Sequence, residues 1–425
     1  MDVKKLIEGQ KDYIVEVRRH LHEHPEVGLK EFETIKYIEG QLDAIGIPHK
    51  YVKDGGIIAE ITCGKPGKTL LIRADIDALP MQETDDNLKG PRACKSKNPG
   101  AMHACGHDGH VAMLLAAAKV IVANKADMKG KYILVFEQAE ELFGGIMALA
   151  KELDANYHYD GAWVIHLKAS MKTGTVSVDA GPRMSGPFSY DVTIKGQGGH
   201  GSRPDLANNP LDTFCDIYAT LKEKLAVRAN PFYPVTLCIG ATQFGTVGNI
   251  IPDELTFKGN LRILDWDKVG EYWTKELMKT FEDCCKKHGT TFKVNMYAPR
   301  DMAVVNNPVA SRIAEGAIRK ILGDGGVASC EPWMASECMA LYNKRAPGLL
   351  VFLGIANEAA GSGADHHNVY FDIDEEALFG GAAVTLQYAL DFMDFEGSFE
   401  FTPDLTPIEE LMGGKKWLKL AGLAE

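Results

Sequence analysis

Several features that mark other classes of protein are missing from this 425-residue sequence. It carries 46 Lys and Arg against 58 Asp and Glu, and it has no basic stripe of the kind that binds nucleic acid. No run of about 18 apolar residues is present, so we expect no membrane span. The charged N-terminal segment lacks the apolar centre of a signal peptide, which predicts a cytoplasmic protein rather than a secreted one.

A disulfide framework is also missing. The nine cysteines are odd in number and widely scattered, which is typical of a chain in a reducing compartment. The metalloprotease motif HExxH and the paired spacing of a zinc finger are absent. Cys284 and Cys285, in a predicted helix, are interpreted as structural.

Hydrophobic residues make up 45% of the chain, and its length favours two domains. The apolar runs TLLIRA, KYILVFE and AWVIHL are typical of buried strands. They alternate with helical patterns, including residues 4–23, residues 31–45 and the alanine-rich segment HVAMLLAAAKVIVANK. This alternation predicts an α/β fold with a mostly parallel sheet covered on both faces.

The pattern changes near Gly181. From there the predicted order is strand, helix, strand, strand, helix, strand, which is typical of a ferredoxin-like α+β sandwich. We therefore predict a larger domain of residues 1–182 and 299–425, with a small domain of residues 183–298 inserted into it. No role is predicted for the tail that begins near residue 397.

Metal-ligand side chains lie near the predicted carboxyl ends of the strands, where open α/β sheets bind ligands. These side chains are Asp75 and Asp77, Cys105 and His107 in AMHACGHDGH, Glu140 and Glu141, His166, and His367 in a later loop. Thiolate, imidazole and carboxylate are ligands of Zn²⁺ and similar ions. In the Glu pair, one carboxylate can hold metal while the other takes a proton from water that the metal acidifies. The pattern predicts a metal-dependent hydrolase.

Each candidate also has a structural interpretation. A histidine on an apolar strand, such as His166, is often satisfied within the core. Cys105 has the character of a small buried hydrophobe, and His200 of a loop residue among glycines. We interpret His103 and His110 as groups that shape their loop rather than as ligands.

Eight motifs carry a resemblance to a known family, and together they are specific because they occur in order over about 350 residues. They are RRHLHEHPEVGLKEFET, LLIRADIDALPMQE, AMHACGHDGH, the EE pair, the strand ending in His166, GQGGHGSRP, GTVGNIIPDE and HHNVYFDIDEEAL. The sequence resembles the metal-dependent amidohydrolases of the aminoacylase and carboxypeptidase family. It is most similar to the branch with hippurate hydrolase, N-acyl-amino-acid hydrolases and auxin-conjugate hydrolases.

The resemblance implies a metallopeptidase-like catalytic domain and an inserted lid, which also forms a homodimer or a higher homo-oligomer. It implies two divalent ions, Zn²⁺ or Mn²⁺, with Co²⁺ or Ni²⁺ as further options, and a small N-acyl amino acid or amide as substrate. The implied metal ligands are Cys105, His107, Glu141, His166 and His367.

Further roles follow from the same resemblance. Glu140 is the implied general base, and His200 the group that stabilises the oxyanion. Asn249 and Arg262 are implied substrate-binding residues. Asp77 is implied to orient a metal ligand from behind.

The sequence departs from the family's motifs around the pocket. Glu137-Gln138 stands where Gln-Pro is usual, Cys338-Met339 where Asp-Phe is usual, and His366 where an apolar residue is usual. Glu137 adds a third acid, which we expect to raise the pKa of its neighbours and to favour substrates with a free α-amino group. A dipeptidase or carboxypeptidase on the same scaffold, and a catalytically inactive binding or regulatory protein, are therefore the alternatives.

Overall fold

The elements alternate along the chain much as the sequence predicts. The computed structural model describes residues 1–423. Its helices are α1 (Val3–Glu8), α2 (Lys11–Glu23), α3 (Phe32–Ile45), α4 (His107–Asn124), α5 (Ile146–Asn156), α6 (Pro210–Val227), α7 (Trp266–His288), α8 (Pro308–Leu322), α9 (Met339–Arg345), α10 (Glu375–Asp394), α11 (Ile408–Gly413) and α12 (Lys415–Leu420). Its strands are β1 (His49–Val52), β2 (Gly56–Thr62), β3 (Lys65–Asp75), β4 (Lys129–Glu137), β5 (Gly161–Lys172), β6 (Val176–Ser177), β7 (Gly181–Met184), β8 (Gly186–Lys195), β9 (Gly199–His200), β10 (Val235–Gln243), β11 (Ile250–Ile251), β12 (Glu254–Ile263), β13 (Thr291–Pro299), β14 (Val304–Asn306), β15 (Val327–Ala328) and β16 (Gly348–Ala356).

The first unit comprises Met1–Gly181, Val305–Glu331 and Cys338–Leu405 and is built on a mixed sheet. Its strand order is β1-β2-β4-β3-β5-β16-β6-β15. Pairing is parallel from β4 through β3 and β5 to β16, whereas β2 is antiparallel to both of its neighbours. The predicted mostly parallel α/β fold is confirmed. The central strand β16 is almost wholly buried and apolar, as a strand covered on both faces requires.

Local sequence explains where these helices begin and end. α3 stops at Gly46, whose φ of 78° is left-handed and favours glycine. α8 begins with Asn307, which caps two main-chain N–H groups, followed by Pro308 in the first turn. The prediction of one helix over residues 4–23 is wrong, because Gly9 caps α1 and a second helix, α2, begins at Lys11. Among residues 1–423, no helix combines the length and apolar character needed to cross a membrane.

The second unit contains the segments Pro182–Val304 and Pro332–Glu337 and the C-terminal segment from Thr406. Its antiparallel sheet has the order β10-β12-β8-β13 and forms a core with α6 and α7. The order β8, α6, β10, β12, α7, β13 is the predicted strand–helix–strand–strand–helix–strand pattern.

The C-terminal segment differs from its predicted place. The sequence assigns residues 299–425 to the larger domain, whereas the segment from Thr406 groups with the second unit. The physical reason is aromatic packing: the rings of Trp417 and Trp266 have centroids 5.0 Å apart, and both side chains are buried in the core of that unit.

A buried arginine in α2 gives a stability prediction. Arg18, 2% exposed, lies with its Nε 3.1 Å from Oδ2 of the fully buried Asp108, and its Nη2 lies 3.3 Å from Asp372. We expect Arg18→Met to lower the free energy of unfolding by about 3–5 kcal/mol, because it removes the guanidinium from a buried carboxylate and leaves only the imidazole of His22, 2.7 Å from Oδ2 of Asp108. Urea denaturation measures this change.

Arg19→Met is the matched control. The Arg19 side chain is 43% exposed and pairs with Glu375, so its loss is expected to cost at most about 1 kcal/mol. Equal losses for the two variants would contradict the assignment of the stabilising role to the buried pair.

Candidate metal centre

Two strand ends, the middle of a third strand and one helix start carry candidate site residues of the first unit, and the prediction that a strand ends at His166 is wrong because β5 continues to Lys172. β3 ends at Asp75, β4 leads into the 3-10 turn Glu140–Leu142, and β5 carries His166. α4 begins at His107 after Gly106, whose φ is 87°. That left-handed φ favours glycine, and a Cβ at Gly106 would also lie 2.6 Å from Leu167 Cδ1.

The structure brings the five predicted ligands together. One donor atom each of Cys105, His107 and His166 lies within 4.8 Å of the others, and the same holds for Cys105, Glu141 and His367. The Sγ of Cys105 lies 3.7 Å from Nε2 of His166. The Oε1 of Glu141 lies 3.2 Å from Nε2 of His367 and 3.8 Å from Nε2 of His107.

The two histidines on β5 and α4 are held in the tautomer that a metal ligand needs. The Nδ1–H of His166 donates to the main-chain oxygen of Leu167 at 2.7 Å, so the neutral ring has its lone pair on Nε2, which lies 3.7 Å from Sγ of Cys105. The Nδ1 of His107 lies 3.1 Å from Oδ1 of Asp77, which leaves its Nε2 free in the same way. A carboxylate or carbonyl partner of this kind fixes ring orientation at metal sites.

Asp77 contacts two of the candidate ligands at once. Its Oδ1 binds His107, and its Oδ2 accepts the main-chain N–H of Glu141 at 3.2 Å. Both ligands are therefore held by one buried carboxylate. This is the arrangement that the predicted orienting role of Asp77 requires.

Two buried atoms test whether the site fits a metal ion. His107 Nε2 is buried and has no hydrogen-bond partner among the described residues, and the buried Oε1 of Glu141 faces Nε2 of His367 at 3.2 Å without a well-aligned hydrogen bond. Leaving such atoms unpaired costs about 1–3 kcal/mol each. A cation shared by the two atoms would remove that cost, and a set of thiolate, imidazole and carboxylate suits a borderline divalent ion. The residues fit a metal ion.

The charges around the site favour a cation as well. Burial raises the pKa of the Cys105 thiol well above its usual value, and the carboxylates of Glu141, Asp75 and Glu140 raise it further. Burial lowers the pKa of His107, but the charge of Asp75 and the contact with Asp77 outweigh this effect and raise it to about 10. Both groups hold protons at neutral pH unless a metal displaces them, so metal binding releases protons.

Glu140 differs from its neighbour Glu141 in its contacts. It is 7% exposed, and its Oε1 accepts the main-chain N–H of Cys338 at 3.1 Å. One of its oxygens lies within 4.8 Å of the donor atoms of His107 and Glu141. Glu141 therefore belongs to the ligand set with Cys105 and His367, whereas Glu140 lies beside that set.

Glu137 is the main correction at this site. It is fully buried, and its Oε2 accepts from Nε of Arg73 at 2.9 Å and from the hydroxyl of Tyr342 at 2.8 Å. The expectation that it presents a free acid to a substrate amine is wrong, because Glu137 is fully buried and bonded to Arg73 and Tyr342. The sequence signal for this partner is the lone cation in the apolar run LLIRAD.

In two other histidines near the centre, one ring nitrogen already accepts a main-chain hydrogen bond. The main-chain N–H of Leu167 donates to Nε2 of His110 at 3.0 Å, and that of Ala169 donates to Nε2 of His366 at 3.2 Å. These ring nitrogens are acceptors already in use. Burial lowers the pKa of His103 to about 3, so this residue is neutral.

Strained backbone surrounds the catalytic candidates. Ala139 and Phe143 flank the turn that carries Glu140 and Glu141, and their φ angles are 51° and 52°. His367 has a φ of 58°. Left-handed backbone in residues other than glycine is costly and clusters at functional sites, where surrounding contacts hold it in place.

Three other predicted site residues belong to the second unit. His200 lies in β9, which pairs with β11, and Asn249 directly precedes β11. The main-chain N–H of Ser202 donates to Nδ1 of His200 at 3.1 Å, so a neutral ring carries its proton on Nε2. His200 is exposed. Arg262 is partly buried and donates to Oγ of Ser336 at 2.5 Å.

A mostly parallel sheet with clustered Cys, His and Glu ligands beside a second carboxylate defines a metal-dependent hydrolase. Residues 71–391 match the family model described as Peptidase family M20/M25/M40. Thermostable carboxypeptidase 2 of Saccharolobus solfataricus is 33% identical over 398 residues, which cover 92% of this chain and 97% of that protein. N-acyl-L-amino acid amidohydrolase of Geobacillus stearothermophilus is 31% identical over 298 residues, 69% of this chain and 78% of that protein.

A solved structure is similar over nearly the whole chain. YXEP of Bacillus subtilis, a dinuclear metal-binding peptidase, has a TM-score of 0.78 and 27% identity, covering 91% of this chain and 99% of that one. The chain belongs to peptidase family M20/M25/M40. It is a metal-dependent amidohydrolase, as the sequence predicts.

Proposed function

We propose that the chain hydrolyses the amide bond of N-acylated amino acids, or of similar acyl and aryl amides, to a carboxylic acid and an amine. One observation carries this proposal. The Sγ of Cys105 belongs both to a set with His107 and His166 and to a set with Glu141 and His367. Two adjacent sets that share Cys105 could hold a pair of divalent ions.

Held by Cys105, His107, His166, Glu141 and His367, divalent ions would supply polarisation of the amide carbonyl and a lower pKa of water. Glu140 accepts a proton from the attacking water and delivers it to the leaving nitrogen. His200 donates its Nε2–H to the oxygen that becomes negatively charged. Asn249 and Arg262 bind the substrate, and the guanidinium of Arg262 is suited to a carboxylate.

The finer properties are proposals of the same kind. Zn²⁺ or Mn²⁺ are the proposed ions, and the thiolate of Cys105 favours zinc. A cytoplasmic location is supported by the nine cysteines, all of which are free in the described part of the chain. A homodimer through the second unit is supported by β10, which is an edge strand whose main-chain groups are open on one side.

A carboxypeptidase is the second candidate, and the identity to a thermostable carboxypeptidase favours it. Both activities use the same centre and differ in the group on the acyl side of the cleaved bond. A catalytically inactive relative is less well supported, because Glu140 is present beside the ligands and is held by a main-chain hydrogen bond.

The test combines metal content with a substrate panel. Metal-free protein is loaded separately with Zn²⁺, Mn²⁺, Co²⁺ and Ni²⁺, bound metal is measured by mass spectrometry, and N-acetyl and N-benzoyl amino acids are compared with free and N-blocked dipeptides. We expect hydrolysis of the N-acyl amino acids. Hydrolysis of the dipeptides alone would contradict the proposed function and favour a peptidase. Bound metal without any hydrolysis would favour a binding protein.

A further inference from the structure

The short helix α9 is attached to the base-bearing segment by two hydrogen bonds. The main-chain N–H of Cys338, the residue before α9, donates to Oε1 of Glu140 at 3.1 Å. One turn further along, the Tyr342 hydroxyl donates to Oε2 of Glu137 at 2.8 Å. Glu137 ends β4, and Glu140 opens the turn that follows it. Both hydrogen bonds therefore join α9, or the residue directly before it, to the segment that runs from Glu137 to Glu140.

Glu137 is itself fixed by the neighbouring strand. Arg73 on β3 donates from Nε to Oε2 of Glu137 and from Nη1 to Oδ2 of Asp75, each at 2.9 Å. Asp75 and Glu137 are direct partners in the parallel pairing of β3 with β4. All four side chains, including Tyr342, are buried. In this dry environment a cation bonded to two carboxylates holds both in one position.

We propose that Arg73, Glu137 and Tyr342 are positioning residues that hold α9 so that the Cys338 N–H orients the carboxylate of Glu140. The proposal rests on the proposed function, in which Glu140 moves the proton. None of the three residues touches the substrate or a metal ion in this scheme. They act through α9 and its main-chain N–H.

The chemistry of each member suits this role. Burial raises the pKa of Tyr342 well above its usual value, and the charge of Glu137 raises it further, so the hydroxyl stays protonated and remains a donor. The donor to Glu140 is a main-chain N–H, and its direction is set by where the helix lies rather than by a rotatable side chain. Because proton transfer requires close alignment, a small displacement of α9 is enough to slow it.

Tyr342→Phe is the test variant, and Tyr388→Phe is its matched control. Tyr388 is a buried tyrosine of the same unit whose hydroxyl has no hydrogen-bond partner among the described residues. Metal-loaded proteins are compared by hydrogen exchange of the peptide covering residues 338–345, by bound metal, and by kcat and KM on the best N-acyl substrate. For Tyr342→Phe we expect faster exchange in that peptide and a kcat lower by about 10- to 100-fold. KM and bound metal stay unchanged, and Tyr388→Phe resembles the wild type.

Glu137→Ala is a second variant and removes the acceptor instead of the donor. It is expected to reproduce the exchange and kcat changes of Tyr342→Phe. Unchanged exchange in both variants overturns the inference, and so does faster exchange with an unchanged kcat. If the wild type hydrolyses no substrate of the panel, the proposed function fails, whereas exchange in the peptide still decides whether Tyr342 and Glu137 hold α9.

Discussion

Glu140→Gln is expected to lower kcat by about 10²- to 10⁴-fold while bound metal stays at the wild-type level. Glutamine keeps the size of the side chain and an oxygen that can accept the N–H of Cys338, now 3.1 Å from Oε1. It cannot take up a proton from water. Because Glu140 lies beside the ligand set with Cys105 and His367 rather than in it, the metal sites should form normally.

Glu141→Gln is the informative comparison, since it makes the same chemical change one residue away. Glu141 shares a ligand set with Cys105 and His367, so its amide is expected to weaken metal binding as well as activity. Metal analysis and steady-state kinetics on both variants separate the two roles. Loss of metal in Glu140→Gln, with metal retained in Glu141→Gln, would reverse the assignment of base and ligand.

Cys105→Ala is expected to abolish activity because it weakens metal binding, and not because it interrupts proton transfer. Its Sγ is the atom common to both ligand sets, so its removal weakens both at once. Loss of a supporting residue behind a metal ligand costs about 10- to 100-fold in affinity, and loss of a shared ligand should cost more. Bound metal is measured after dialysis against a buffered metal solution.

The unfolding temperature gives a second test of Cys105→Ala. Metal bound only to the folded state raises the unfolding temperature, so a chelator should destabilise the wild type and have little effect on Cys105→Ala. Cys94→Ala is the control, because Cys94 is also buried but lies outside the ligand sets and contacts the main-chain oxygen of Arg19. A chelator response in Cys105→Ala equal to that of Cys94→Ala would show that Cys105 does not bind the ion.

Much of the fold could be predicted because its signals are local. The apolar runs that became β3, β4 and β5 alternate with helical patterns, and a buried parallel sheet is the arrangement that such alternation favours. The candidate ligands could be selected for a similar reason. Glu141 follows β4 and His107 opens α4, and the rule that ligands collect at the carboxyl ends of parallel strands needs no distances.

The part that could not be predicted depends on partners far apart in the chain. Glu137 looks like a free acid in the sequence, because nothing local indicates that Arg73 and Tyr342 lie against it. The order of the chain likewise gives no sign that Trp417 packs on Trp266. Such contacts are decided by tertiary packing, whereas the periodicity of a segment reports only which of its faces is buried.

The aromatic contact of the C-terminal segment has a consequence for biosynthesis. The main segment of the second unit is complete at Val304, but its core includes Trp417. The sheet of the first unit is interrupted in the same way, because its parallel partners β5 and β16 lie on either side of that segment. Domains usually fold in turn as they leave the ribosome. Here the first core lacks β16 and α10 until they are made, and the second core lacks Trp417 until later still, so during translation both expose apolar surface that can aggregate.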